Sequence, residues 1–384
     1  MDVTPFSAQE LFQWLVSKED FLLLDVRNNE EFARFKVEGP YPIDMLNIPY
    51  MEFIEHEDES VAKVPRGKKV RIVCAKEGSS KYVGDILVQN GHDDVRNLKV
   101  GIRSWGNLLA PIRVAATDEW ELVQFRRPGK ASCSYGLLYN GQMMVFDPAK
   151  NIDSYLQFAE DKGCQIIRSF ETHRQADYIS GSPALNQAKG VEIVAPEPDF
   201  SEAVFAYTPA ADGAVIDFDG RGPKIEVIHT PGHTPGSTCY LIDGRYLISG
   251  DTVFIASIGR PDLGGQVEAW SDLLFATMRQ KMLQWDRDTI ILPGHYIDWS
   301  EADGDLIFQK PLGAIIDANA GIYAIDNNAD FLAFIKANMR PQPEEYAKIR
   351  QINAGLLEVD ADTQDIMDLG KNECAASAMQ AAGQ

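Results

Sequence analysis

The chain is 384 residues long, enough for two or three domains, and its 45% hydrophobic content can fill real cores. A formal net charge of −21, with no visible cluster of Lys and Arg, weighs against nucleic acid as a partner, and the acidity reads as serving solubility. No run approaches the about eighteen apolar residues of a membrane span.

Met1 to Val16 has no basic region ahead of an apolar run, which predicts no secretory signal. Cysteines 74, 133, 164, 239 and 374 are odd in number and scattered, unlike a disulfide framework, and a cytoplasmic protein is expected.

To about Leu108, strands alternate with helices. Phe21 to Val26 and Val70 to Val73 are short apolar runs suited to buried parallel strands. The second leads into Cys74-Ala75-Lys76-Glu77-Gly78-Ser79-Ser80. Tyr82, Val83, Ile86 and Leu87 then recur at helical spacing, and Gly91 stands at a helix C′ position. A cysteine between a strand and a helix N-terminus is favoured as a thiolate; Lys76 adds positive charge and Glu77 opposes it. The pattern lapses around Pro111, so residues 109–118 read as a linker.

A second block spans 119–329. Ser134 to Tyr139 and Gln142 to Asp147 flank Asn140-Gly141, a hairpin signal. A helix over Ile152 to Asp161 and a strand over Gln165 to Phe170 follow. Further strands are expected at Val191 to Ala195, Lys224 to His229, Cys239 to Ile242, Tyr246 to Ile248 and Ile290 to Leu292. Such strands with helices between them indicate a two-sheet sandwich covered by helices. A helical C-terminal extension is expected over 330–384, with Phe331, Leu332, Phe334 and Ile335 on one face and Tyr346, Ile349 and Ile352 on another.

Four segments carry metal-ligand chemistry. Residues two apart at a strand end face one side, so His173 and Gln175 could share a site. His233 lies in the rigid turn Thr230-Pro231-Gly232-His233-Thr234-Pro235-Gly236, and Asp251 supplies a hard oxygen. Two histidines and a carboxylate with open positions form a facial triad suited to mononuclear Fe(II). A zinc pair needs more ligands than these. Asp177 and His295 are left to orient ligands or waters, beside Gln175 and Tyr178. His56, His92 and His229 are assigned to structure or surface, and no chemistry is assigned to Cys374.

The first segment resembles a rhodanese domain. Leu24-Asp25-Val26-Arg27 with Glu30-Glu31-Phe32, then Leu46-Asn47-Ile48-Pro49, Cys74 and Gly101-Ile102-Arg103-Ser104-Trp105 carry the resemblance. It implies sulfane sulfur carried as a persulfide on Cys74; the charge of Lys76 makes it a substrate-binding candidate on the same loop. Ser79 and Ser80 are neutral where many members place an Arg, so a persulfide donor is expected rather than thiosulfate.

The second block, from about Trp120 to Trp299, resembles the metallo-β-lactamase superfamily and its persulfide dioxygenase branch. Glu171-Thr172-His173 with Ala176-Asp177 and Ile179-Ser180-Gly181, Thr230 to Ser237, Gly250-Asp251-Thr252-Val253-Phe254 and Ile258 to Leu263 carry it. Gln175 and Tyr178 stand where the branch has histidines. The resemblance implies an αββα sandwich, one Fe(II) on His173, His233 and Asp251, and Arg260 as anchor of a small thiol substrate. The expected activity is oxidation of a glutathione-type persulfide to sulfite, coupled to sulfur transfer at Cys74; a homo-oligomer is compatible with it. Two alternatives stand beside it: a metal-free domain leaving only sulfurtransferase or persulfide-binding activity, and a zinc thioester hydrolase of the glyoxalase II type.

Overall fold

The computed structural model describes residues 3–376. It divides into two compact units, one built on the residues up to Ala110 with excursions at Arg127–Lys130 and Leu369–Lys371, the other on the remainder.

The first unit holds five strands, β1 (Thr4–Phe6), β2 (Leu22–Asp25), β3 (Met45–Asn47), β4 (Val70–Val73) and β5 (Val95–Leu98). They form one all-parallel sheet in the order β1-β5-β4-β2-β3. Parallel strands covered on both faces are apolar throughout, as Leu22, Leu23, Leu24, Val70, Ile72 and Val73 are here. The helix predicted after Cys74 runs Gly78–Gln89, buries Val83, Ile86 and Leu87, and is followed by Gly91 at φ 85°. Tyr82 is exposed, because that position faces away from the sheet.

The second unit is a sandwich of two sheets. Strands β6 (Ala110–Ala116), β7 (Trp120–Arg127), β8 (Ser132–Tyr139), β9 (Gln142–Phe146), β10 (Gln165–Phe170), β11 (Glu192–Ala195) and β12 (Thr208–Pro209) form one sheet in the order β12-β11-β10-β9-β8-β7-β6. Strands β13 (Val215–Ile216), β14 (Ile225–His229), β15 (Thr238–Ile242), β16 (Tyr246–Gly250), β17 (Ile290–Pro293) and β18 (Lys310–Pro311) pair in sequence order in the other. Phe146, Phe170 and Tyr240 meet in its core, with the two phenylalanine rings stacked 4.6 Å apart. The predicted hairpin forms at Asn140-Gly141 and another joins β15 to β16 at Asp243-Gly244, with positive φ at all four turn residues.

One expectation is corrected here. Residues 109–118 were read as a linker, yet Ala110–Ala116 is strand β6. It lies at the end of the strand order, and an edge strand tolerates Pro111, the residue that suggested a break. The C-terminal region is helical at Asn328–Asn338, Glu345–Asn353 and Ala361–Met367. The small-residue tail lies outside the described residues beyond Ala376. No helix among the described residues is long and apolar enough to cross a membrane.

Candidate functional site

In the first unit, the strand-to-helix turn places Cys74 at the floor of a cleft of about 300 Å³, lined among others by Arg27, Asn28, Met51 and Ser79. The Glu77 amide donates to Cys74 Sγ at 3.0 Å, and Ser80 Oγ lies 3.2 Å from the sulfur. The opposing charge expected from Glu77 is turned away: its carboxylate accepts from the Val100 amide at 3.0 Å and from Asn97 at 3.5 Å. Lys76 is exposed and is not among the cleft residues, so its side chain does not line this cavity. The cation on the wall is Arg27, buried and held by Asp25 at 2.6 Å. Gly101, at φ 65°, closes the loop; a Cβ there would lie 2.4 Å from the Cys74 carbonyl oxygen.

In the second unit the ends of several strands converge. His173 follows β10, His233 lies in the turn after β14, Asp251 follows β16, and His295 follows β17. All four are buried. Asp251 Oδ2 lies 3.8 Å from His173 Nε2 and 3.5 Å from His233 Nε2, and the two imidazoles meet edge to face at 4.9 Å.

Each ligand is oriented from behind. Thr172 Oγ donates to Asp147 Oδ2 at 2.8 Å and lies 2.9 Å from His173 Nδ1. While Asp147 is ionised it has no proton to give, so Thr172 accepts from Nδ1–H and the Nε2 lone pair of His173 is bare. His233 Nδ1 donates to the Arg260 carbonyl at 2.8 Å, baring its Nε2 in the same way. The turn carrying His233 is fixed by Asp199, which accepts from the Gly236 amide and from Thr234 Oγ at 2.7 Å each. Gly232 there, at φ 152°, leaves no room for a Cβ against Leu274.

Burial pushes His173 down to about 3, against the pull of Asp251, and lowers His233 likewise. Both imidazoles are therefore neutral, the state in which they ligate metals. Burial would raise Asp251, but His295, donating Nδ1–H to Oδ1 at 2.7 Å, outweighs it and holds the carboxyl below its ordinary range. Asp251 Oδ2 itself is buried with no hydrogen-bond partner. An acceptor without a donor, facing two bare nitrogens, fits a cation, and the donor atoms of His173, His233 and Asp251 all lie within 4.8 Å of one another.

Asp177, Gln175 and Tyr178 lie around this cluster. Asp177 Oδ2 is 2.9 Å from His295 Nε2; Gln175 Nε2 is 3.5 Å from His173 Nδ1; Tyr178 donates to the Asp147 carbonyl at 3.3 Å, its ring against His295. Burial would lower His295, but Asp177 and Asp251 on either side raise it to about 10.

Arg260 is not where a substrate anchor should be. It is buried, its guanidinium bound to Asp262 at 2.6 Å and to the carbonyls of Glu373 and Arg340. With its fork already filled, it positions backbone instead. A cleft of about 270 Å³ beside His233 is lined among others by Trp270 and by two arginines at its surface, Arg174, ion-paired with Glu202, and Arg350, which donates to the Leu263 carbonyl.

Sequence reasoning passed over Asp147, Asp199, Arg174, Arg350 and Asn353. Asn353 donates to the carbonyls of Gln175 and Tyr178 and accepts from the Ser180 amide, all at 2.9 Å, bracing the loop that carries His173 and Asp177. The signal for Arg260 was Asp262, two residues on in the same motif.

Residues 7–108 match the rhodanese-like domain family, and residues 131–295 match the metallo-beta-lactamase superfamily. A hydroxyacylglutathione hydrolase from Polaromonas sp. (strain JS666 / ATCC BAA-500) is 31% identical over 161 residues, covering 41% of this chain and 59% of that protein. The chain therefore spans little more than half of that relative. Among solved structures, a metallo-beta-lactamase from Staphylococcus aureus subsp. aureus COL is similar at 25% identity and TM-score 0.55, covering 63% of this chain and 74% of that one. ETHE1 from Myxococcus xanthus, at 20% identity and TM-score 0.52, covers 61% of this chain and 98% of its own; that likeness is one of fold.

Proposed function

The chain carries a rhodanese-like domain followed by a metallo-beta-lactamase-superfamily domain, and on that footing we propose an enzyme of sulfur metabolism that oxidises a low-molecular-weight thiol persulfide to sulfite. The carrying observation is the cluster of His173 Nε2, His233 Nε2 and the partnerless Asp251 Oδ2. Two neutral imidazoles and one carboxylate, with the remaining positions open, suit one Fe(II). Bound there, iron would supply activation of O₂ beside the cleft that His233, Trp270 and Arg350 line. The balanced reaction is RSSH + O₂ + H₂O → RSH + SO₃²⁻ + 2H⁺.

The protein's own residues do the rest. Arg174 and Arg350 offer charge-assisted hydrogen bonds to the carboxylates of a glutathione-type substrate, and Trp270 gives its body an apolar wall. Thr172 and the Arg260 carbonyl hold the imidazole tautomers. In the other domain, Cys74 takes or gives the sulfane sulfur, its sulfur anion stabilised by the Glu77 amide. Tethering both on one chain raises the effective concentration of a reactive persulfide. That none of the five cysteines forms a disulfide among the described residues supports a reducing compartment, the cytoplasm. The net charge of −21 supports a small-molecule substrate rather than nucleic acid.

Oxygen consumption by iron-loaded protein with glutathione persulfide tests this reading. Uptake with stoichiometric sulfite is expected, and its absence sinks the dioxygenase half. A zinc thioester hydrolase is the second reading, supported by the hydroxyacylglutathione hydrolase relative; hydrolysis of an acylglutathione without oxygen uptake would select it.

A further inference from the structure

Between Cys74 and Glu77 the exposed pair Ala75-Lys76 forms an arch, closed where the Glu77 amide meets Cys74 Sγ at 3.0 Å. Glu77 holds φ at 124°, a region open to glycine and costly for a residue with a Cβ. We infer that the Glu77 side chain positions the donor to Cys74: its carboxylate, bound to the loop that follows β5, holds its own backbone in that conformation and so keeps the N–H on the sulfur. The inference rests on the reading of Cys74 as a carrier of sulfane sulfur.

One side of the residue is fixed by the helix it opens. The Glu77 carbonyl accepts from the Lys81 amide at 3.1 Å and from Ser80 Oγ at 2.8 Å, at the start of the helix Gly78–Gln89. What is left to turn is the peptide joining Lys76 to Glu77, and φ sets where its N–H points. Relaxation to an ordinary negative φ would swing that N–H off the sulfur. The positive φ is therefore what aims the donor.

The restraint on φ comes from the side chain. One carboxylate oxygen accepts from the Val100 amide at 3.0 Å, and the other from Asn97 Nδ2 at 3.5 Å. Asn97 is buried in β5. Val100 is itself at φ 64°, rare for a β-branched residue, so the carboxylate meets an amide that its own loop holds in a special conformation. The same two loops are joined a second time, by the Ile102 amide donating to the Cys74 carbonyl at 2.8 Å. Glu77 thus carries both the donor to the sulfur and the anchor that holds it there.

This arrangement reverses the usual order of truncations. Where a side chain only adds stability, glycine harms more than alanine, because glycine loses more chain entropy on folding. Where the native φ belongs to glycine, alanine is the worse replacement. A clamp on Glu77 predicts the second order, read at the sulfur.

Alkylation of Cys74 by iodoacetamide in the full-length protein at pH 7, followed by the mass of the Cys74 peptide, reads this without any sulfur transfer. The thiolate attacks carbon, a C–S bond forms and iodide leaves. Glu77→Ala should react about tenfold more slowly than wild type, the loss of one hydrogen bond to a charged sulfur. Glu77→Gly should regain most of that rate. Glu77→Gln, which keeps an acceptor for the Val100 amide, should regain it as well. Should Glu77→Ala fail to fold, Glu77→Asp, shorter by one methylene, takes its place. Glu77→Ala at the wild-type rate, or either rescue variant as slow as Glu77→Ala, overturns the clamp. Should wild type form no thiocyanate from a persulfide and cyanide, the carrier reading fails, while the alkylation rates still judge the clamp.

Discussion

Asp251 divides its work between two oxygens. Oδ1 accepts from His295, and Oδ2 is left to face the two histidines. A carboxylate satisfied on both sides would compete with a cation, and one satisfied on neither would be too costly to bury. Glu301 shows what burial does to a carboxyl that has less help. Burial raises it to about 7 from an ordinary 4.5, against the amides of Ile297 and Asp298 that bind Oε1, while Oε2 has no partner. Between those pH values the folded state keeps a proton that the unfolded chain has released. The contribution is therefore full below pH 4.5 and is lost as pH rises through 7, amounting to roughly 3 kcal/mol. Glu301→Gln keeps the acceptor for both amides and cannot ionise. Thermal melts at pH 5 and pH 8 should show wild type losing several degrees more than the variant; equal losses would show that Glu301 is not the group responsible.

Loops rather than strands hold the site, and side chains from distant elements set their shape. Asn353, at the end of the helix Glu345–Asn353, binds three backbone groups of the loop from Gln175 to Ser180. Asn353→Ala would leave two carbonyls and an amide without a partner, each worth about 1–3 kcal/mol when buried. We expect a loss of several kcal/mol in urea denaturation of the second unit and weaker metal binding in a chelator competition. A variant with unchanged midpoint and affinity would show that the loop holds its own shape. This also marks the boundary of what was legible in the sequence. Strands β4, β8, β9 and β10 could be read because apolar runs and Asn-Gly turns are local signals. So could His173, His233 and Asp251, each set in a short motif. Strand β6 was missed because proline marks a break in a central strand but not on an edge. Asn353 was missed because its partners lie far away in sequence, and no periodicity records a contact of that kind. Arg260 was misassigned because its motif was read without its own Asp262, which fills the guanidinium.

At the scale of the whole chain, the two chemistries are built from separate parts. Every side chain or amide found within hydrogen-bond reach of Cys74 Sγ, from Glu77 and Ser80, belongs to the first unit. The donors of the His173, His233 and Asp251 cluster and the cations of the neighbouring cleft belong to the second. Each unit buries an apolar cluster of its own. Two activities on one full-length chain should therefore separate by single substitutions. Cys74→Ser should abolish transfer of sulfane sulfur to cyanide, in which the persulfide S–S bond breaks and thiocyanate leaves with the outer sulfur, while oxygen uptake with glutathione persulfide stays within about twofold of wild type. His173→Ala should do the reverse, removing a metal ligand and the oxygen uptake while thiocyanate formation continues. Thiocyanate and oxygen assays on the same preparations read both at once. If Cys74→Ser also stopped oxygen uptake from glutathione persulfide, the oxidised persulfide would have to be the one formed on Cys74, and the free thiol persulfide would be its donor rather than the substrate of the metal centre.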